Sequence, residues 1–486
     1  MEVSITIGNV VFLILQFYIL LRKEGAKKKY VSLFIFSAFC EIFYNLGYLL
    51  KFGGYEVNLP YISIIITALW GILLCSKRII SFHGKYLMLF YLSLILGLLW
   101  RLISPSEIIG INHYVQIDSL ATGSPMVKLE VLGYSYLILI RTILCFFSLA
   151  CFGENFDQKV FRKVLSKYIP IFRFIIVFAV VEFVSNNFIN PNLVRNIVIK
   201  LFGMVSGAYI TPSFRGMFFS ICLICWEPSL ANYALFFCVL GLLWNMNAKN
   251  DKKAFIYVLI AVLMMIISMS LTGLMFAAMI IAFMLFRKNV RDKSKKIIFM
   301  FVPVTIIAGG FLMLSSSGIQ NYLIDRLVTT WKSIEYMAEN PQSLSIFKVF
   351  GGASETVRFY SIFNNLYVWT KSPLFGIGAG TVSSASGWVS ALANGGIIGI
   401  YLILKFYKWV SKKVGLLDYK VAALLIGTLF TFQGGLTDIF CSTYYFIWVI
   451  LTAEIISNYK IKEKYEVMVQ NNTEQEIRMN KEVVQS

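Results

Sequence analysis

The chain of 486 residues is 58% hydrophobic and only 14% charged, with a mean hydropathy of +0.73, whereas soluble domains carry about one quarter charged residues. That balance excludes an ordinary soluble globular protein. The formal charge of +19 would suggest nucleic acid on a soluble surface, but here the basic residues collect in the breaks between apolar runs.

Those runs are too long for core helices and match the hydrocarbon thickness of a bilayer, where the backbone must satisfy its own hydrogen bonds. In chain order the expected spans are 5–21, 30–50, 61–75, 86–102, 131–152, 169–184, 217–244, 254–269, 271–286, 297–314, 388–406, 421–439 and 444–457. This is an all-α, polytopic integral membrane protein with about 13 transmembrane helices. The first run lacks a small-residue cleavage site and is followed by a basic loop, so it reads as a retained span.

Most of the 44 Lys and Arg fall at 22–29, 77–85, 159–167, 249–253, 287–296 and 405–420, and in the tail after 457. Short basic loops stay cytoplasmic, which puts the N-terminus outside and the C-terminus inside. No polyanionic partner is required, and no nucleic acid is expected. The organisation is therefore spans 1–10 over residues 1–314, a large extracytoplasmic loop over 315–387, three more spans over 388–457, and a polar, disordered cytoplasmic tail over 458–486. Two further outward segments cover 103–130 and 185–216.

The large loop carries two expected helices. One, near 319–337, places Leu323, Leu327, Trp331 and Ile334 on a face that would lie on the membrane surface or on the spans. The other begins after Ser354 and runs to about Trp369. Arg358 lies on this second helix, with Ser361, Asn365 and Trp369 along its face and Tyr360 beside it. A guanidinium can clamp two phosphate oxygens, while amides, hydroxyls and aromatic rings suit a sugar; an arginine on a solvated face is the plain alternative. The glycines of Gly376-x-Gly378-x-Gly380 could turn backbone amides toward an anion, or could simply connect into the next span.

Arg215 stands at the outer end of the 217–244 run, and Glu227-Pro228-Ser229 interrupts it. A carboxylate at that depth serves pairing, proton transfer or substrate, and the proline would kink the helix. Arg141 and Arg173 are intramembrane charges; Glu41, Glu182 and Glu454 are candidates to neutralise Arg141. Cys222 and Cys225 form a CxxC without strand context and read as buried small hydrophobes. His83 and His113 are isolated loop histidines. With no metal-ligand cluster, nucleophilic triad or Walker-type loop, neither a metal nor another cofactor is expected.

Together, Arg215-Gly216 with Glu227-Pro228-Ser229, the Ser-Met-Ser-Leu-Thr-Gly stretch at 268–273, the block from Arg358 to Gly380 and the Asn-Gly-Gly-Ile-Ile-Gly of 394–399 resemble bacterial O-antigen and capsular polysaccharide polymerases of the Wzy type. The O-antigen ligases are similar at a greater distance. The resemblance covers about 215–406, and the first 200 residues match only as a pattern of spans. The gap from Gly216 to Glu227 is longer than in the family pattern. The large loop has no histidine, whereas the ligases place one there, which favours a polymerase.

The resemblance implies a GT-C-like membrane glycosyltransferase at the outer face of the bacterial plasma membrane. It would join undecaprenyl-diphosphate-linked oligosaccharide repeat units into O-antigen, capsule or exopolysaccharide. Arg358 and Arg215 would bind the diphosphates, with amides of Gly376 and Gly378 assisting. Glu227 would help deprotonate the acceptor hydroxyl. Ser361, Asn365, Trp369, Tyr360 and Arg141 would line the substrate. Its partners would be the lipid-linked glycans, the bilayer and other assembly proteins such as a flippase and a chain-length regulator. The alternatives are a ligase-type glycan transferase and a flippase of the same lipid-linked unit; a flippase would be expected to show two similar halves.

Overall fold

The computed structural model describes residues 2–3, 5–42, 49–52, 55–75, 84–103, 133–203, 214–215, 218–223, 225, 228–249, 251–268, 270–285, 317–339, 354–378, 386–414, 447, 450 and 451. Runs of Leu, Ile, Phe and Val favour helix wherever no proline interrupts them. Pro60, Pro170 and Pro228 all stand in first turns, where the missing N–H costs nothing. Of the described residues 85% are helical.

The helices are α1 (Ile7–Leu21), α2 (Ala26–Ile42), α3 (Leu59–Cys75), α4 (Gly84–Ile103), α5 (Gly133–Asn155), α6 (Gln158–Leu165) and α7 (Ile169–Val184). A π-helical turn, Ser185–Ile189, extends α7 and leads to α8 (Leu193–Phe202). Then follow α9 (Pro228–Lys249), α10 (Lys252–Ile267), α11 (Leu271–Leu285), α12 (Ser317–Glu339), α13 (Ser354–Lys371) and α14 (Gly387–Lys413). Short antiparallel strands complete the set. β1 (Glu2–Val3), β2 (Leu50–Phe52) and β3 (Tyr55–Val57) pair in that order, with Val3 opposite Leu50 and Leu50 opposite Val57. Farther along, β4 (Phe214–Arg215) pairs with β5 (Phe218–Phe219).

Among the described residues, two runs are long and apolar enough to cross a membrane: Ile169–Ile189 and Gly387–Val410. The pair formed by α5 and α6 passes the same test but bends by 117°. Several shorter apolar helices accompany them, among them Ile7–Leu21, Leu59–Leu74 and Ala231–Met246. This architecture agrees with an all-α membrane protein. The expected spans 297–314 and 421–439 lie outside the described residues, as do the 104–130 part of an outer loop and the tail. Of the run 444–457 only Ile447, Ile450 and Leu451 are described.

Between lipid-facing helices there is little hydrophobic force, so close packing and interhelical hydrogen bonds must hold the bundle. In the first group, α2, α3 and α5 pack together; Phe34 stacks on Phe152 at 4.1 Å and the Tyr30 hydroxyl donates to Ser148 O at 2.6 Å. A second group joins α7, α9, α10 and α11, with Phe172 edge-on to Phe237 and Phe236 stacked on Phe276 at 4.4 Å. Helix α14 packs along α4 and α5, and α12 and α13 are layered beside it.

Two segments depart from the sequence-based expectation, 159–167 and 217–244. The basic stretch 159–167 is largely the short helix α6, because the Asp157 carboxylate caps the amides of Lys159 and Val160 while Phe161, Val164 and Leu165 are buried. On α12, whose apolar face was expected on the membrane surface or on the spans, Trp331 is 69% exposed and Ser333 and Met337 are buried. The run 217–244 is not one kinked span: α9 begins at Pro228, and the described residues before it are ribbon and turn.

Candidate functional site

Arg358 lies in the second turn of α13 and Arg215 ends β4, opposite Phe218. Glu227 is outside the described residues, as are Glu454, His83 and His113. Below Arg358, α13 turns a polar seam inward: Ser361, Asn364 and Asn365 are buried, as are Ser386, Ser390 and Asn394 on or beside α14. The Asn365 amide donates back to Ser361 O at 2.6 Å, so these two expected neighbours do share a face. Trp369 is partly exposed, and its indole N–H donates to Pro373 O at 3.2 Å, fastening the end of α13 to the following loop. Tyr360 is only 1% exposed, and burial pushes its phenol pKa up. Its ring is core, with no open face for a sugar.

The glycine-rich loop has a definite structural task. α14 is broken at Gly396 (φ +64°, ψ −173°), which strips the helix of hydrogen bonds around the break. Residues 373–378 replace them: Ile377 N–H donates to Ala393 O and Gly378 N–H to Asn394 O, both at 2.9 Å. In return Ile397 N–H donates to Pro373 O (3.0 Å) and Ile398 N–H to Leu374 O (3.1 Å). Gly376 N–H goes to Ser372 O at 2.9 Å, while the Ser372 hydroxyl donates to Gly376 O at 2.7 Å. The Gly376 and Gly378 amides expected to cradle an anion are thus engaged by the protein's own carbonyls. A Cβ on Gly396 would lie 2.2 Å from Leu374 O, and one on Gly376 only 2.4 Å from the Asn394 carbonyl carbon. Only glycine permits this contact.

Arg141 is buried on α5 and stacks over Tyr61 at 4.7 Å, within cation–π range. Glu182, expected among its neutralising partners, instead accepts from the amides of Cys222 (3.0 Å) and Leu223 (2.6 Å). Arg173 pairs with Asp251, the residue that caps α10 and also accepts from the Asn245 amide. Cys222 and Cys225 are free, buried thiols. The stretch 268–273 packs on α9, where the Asn232 amide donates to Ser268 Oγ and to Pro228 O, each at 2.9 Å.

Sequence reasoning missed the residues that hold the chain before α9. Asn186, Asn187 and Arg195 sit just past the apolar run of α7, and with Glu182 they bind the backbone of residues 219–225. Their signal was available: seven polar side chains from 182 to 195, at the end of an apolar span, need partners. No protein-family model, curated protein or solved structure matches the chain.

Proposed function

We propose that the protein is a membrane glycosyltransferase that lengthens a polysaccharide at the outer face of a bacterial plasma membrane. The growing glycan leaves its undecaprenyl diphosphate and is joined to a sugar hydroxyl of the next lipid-linked repeat unit. The glycosidic bond forms as the glycosyl–phosphate bond breaks, the hydroxyl proton is lost, and the diphosphate departs on its lipid. No nucleotide is consumed.

The reading rests on the motif resemblance, and one structural observation supports it most directly. The block from Arg358 to Gly378 folds as a single unit, α13 plus its loop, onto the broken apolar helix α14. A cation on α13 is thereby carried on a rigid element beside a membrane-spanning helix, as stabilising a departing diphosphate requires. Arg358 and Arg215 are assigned to the diphosphates and Glu227 to the acceptor hydroxyl. Ser361, Asn365 and Trp369 belong to the shell that orients the helix. With the Gly376 amide committed to Ser372 O and the Gly378 amide to Asn394 O, the proposal assigns diphosphate binding to the guanidinium groups.

The test is reconstitution of the purified chain with a lipid-linked repeat unit, with products separated by glycan length. A ladder is expected from the wild type, with loss of at least about a hundredfold in Arg358→Ala, the scale for removing one transition-state donor. A ladder unchanged in Arg358→Ala would remove that residue from the site. Altered sidedness of the lipid-linked unit without new bonds would make the protein a flippase. Transfer to an acceptor other than the repeat unit would make it a ligase.

A further inference from the structure

The sequence from Phe218 to Cys225 is apolar, yet it is not helical among its described residues, and it runs beside the end of a candidate span. Away from water, backbone groups outside a helix each need a partner within the protein. The neighbouring helices supply them one by one. Asn187 treats Phe219 as a strand would: its side-chain carbonyl accepts from Phe219 N–H at 2.7 Å and its amide donates to Phe219 O at 3.2 Å. The Asn186 amide donates to Ser220 O at 3.1 Å.

Beyond them Glu182 holds the amides of Cys222 and Leu223, and Arg195 grips the opposite side of the same turn. The Arg195 guanidinium donates to Leu223 O at 3.4 Å and Cys225 O at 2.6 Å. Leu223, at φ +53°, is the one non-glycine with positive φ among the described residues, so the turn is strained as well as clamped. Both ionisable residues are fully enclosed, Glu182 at 0% and Arg195 at 1% exposure. Two buried opposite charges spent on one turn of backbone are costly, and a plain hydrophobic helix would have avoided that cost.

We infer that Glu182, Asn186, Asn187 and Arg195 form a latch that fixes the turn ending at Cys225 and, through the β4–β5 ribbon, sets the position of Arg215. They are positioning residues; none of them is assigned contact with substrate. The latch stands on geometry alone, while its catalytic consequence rests on the polymerase reading above.

Two measurements on the full chain test it separately. The first is backbone hydrogen exchange in detergent. Peptides over residues 218–225 should exchange slowly in the wild type. Glu182→Ala should raise that rate about tenfold or more while α10 and α11 stay protected. Asn187→Leu, which removes the Phe219 pairing together with a bond to Phe183 O inside α7, covers the case in which Glu182→Ala does not fold, and should free residues 218–220 alone. Unchanged exchange in either folded variant overturns the latch.

The second measurement is polymer formation by Glu182→Gln, Arg215→Lys and the double variant. A positioning role predicts a lower kcat with little change in KM for Glu182→Gln, and no further loss when it is added to Arg215→Lys. Multiplied losses overturn the coupling to Arg215. If the wild-type chain makes no polymer, the polymerase reading falls and the catalytic role with it, while the exchange result still decides the latch.

Discussion

Two stretches of irregular backbone sit beside apolar helices, and the protein satisfies them by opposite means. The turn before α9 is held by side chains, two of them charged, with Glu182, Asn186 and Arg195 buried and Asn187 half-buried. The loop after α13 is held by backbone against backbone, with the break at Gly396 meeting residues 373–378 directly. The first solution needs particular side chains to be present. The second needs side chains to be absent. Both follow the rule that irregular backbone beside an apolar helix finds its hydrogen-bond partners within the protein.

The comparison can be broken most severely at the charged latch. Arg195→Met leaves the Leu223 and Cys225 carbonyls buried without their donor, and hydrogen bonds to a charged group contribute about 1.5–3 kcal/mol each. Loss of folded protein in detergent, followed by thermal unfolding, should show it; a wild-type midpoint would mean that the clamp contributes nothing.

The clasp should fail by another route. Gly396→Ala sets a Cβ against Leu374 O in a left-handed backbone conformation, for a cost of roughly 3 kcal/mol from strain and overpacking combined. Gly399→Ala is the control, since a Cβ there meets nothing closer than 3.7 Å. Equal midpoints for the two variants would show that the α14 break is not held as described.

A surface cluster gives the smallest effect and sharpens the lesson about charge. Glu24 accepts from Lys28 at 2.7 Å and Arg22 at 3.0 Å, with Lys167 at 3.8 Å. Burial alone would raise its pKa, but Lys28, Arg22 and Lys167 together bring it below the ordinary carboxylate value. A folded pKa below the unfolded one contributes stability above the usual carboxylate pKa, lost as pH falls through the lowered value. Glu24→Gln should therefore cost at most about 1 kcal/mol at neutral pH and nothing in acid. A penalty that persisted in acid would point to packing instead.

How much of this was legible beforehand differs by element. Both loop helices were readable from periodicity and a serine start, and they appear as α12 and α13. That Ser361 and Asn365 share a face of α13 was readable. What that face meets was not, because spacing defines a face without saying what it packs against. The run 217–244 was misread for a related reason. Hydropathy counts apolar residues but is blind to a proline that begins a helix and to a strand-like residue paired by an asparagine 32 positions earlier. Polar residues at 182, 186, 187 and 195 carried the warning, since each had to find a partner somewhere.

By itself the sequence determined composition-level matters: apolar helices, basic connections, and a late segment with two helices and glycines. These follow from local propensity and from the solvent the chain must inhabit, which every residue reports independently. Only the tertiary structure decided that the Gly378 amide serves a broken helix, that Tyr360 is enclosed, and that Glu182 holds backbone beside Arg195. Hydrogen-bond partners and burial depend on residues distant in the chain, and no local pattern carries them.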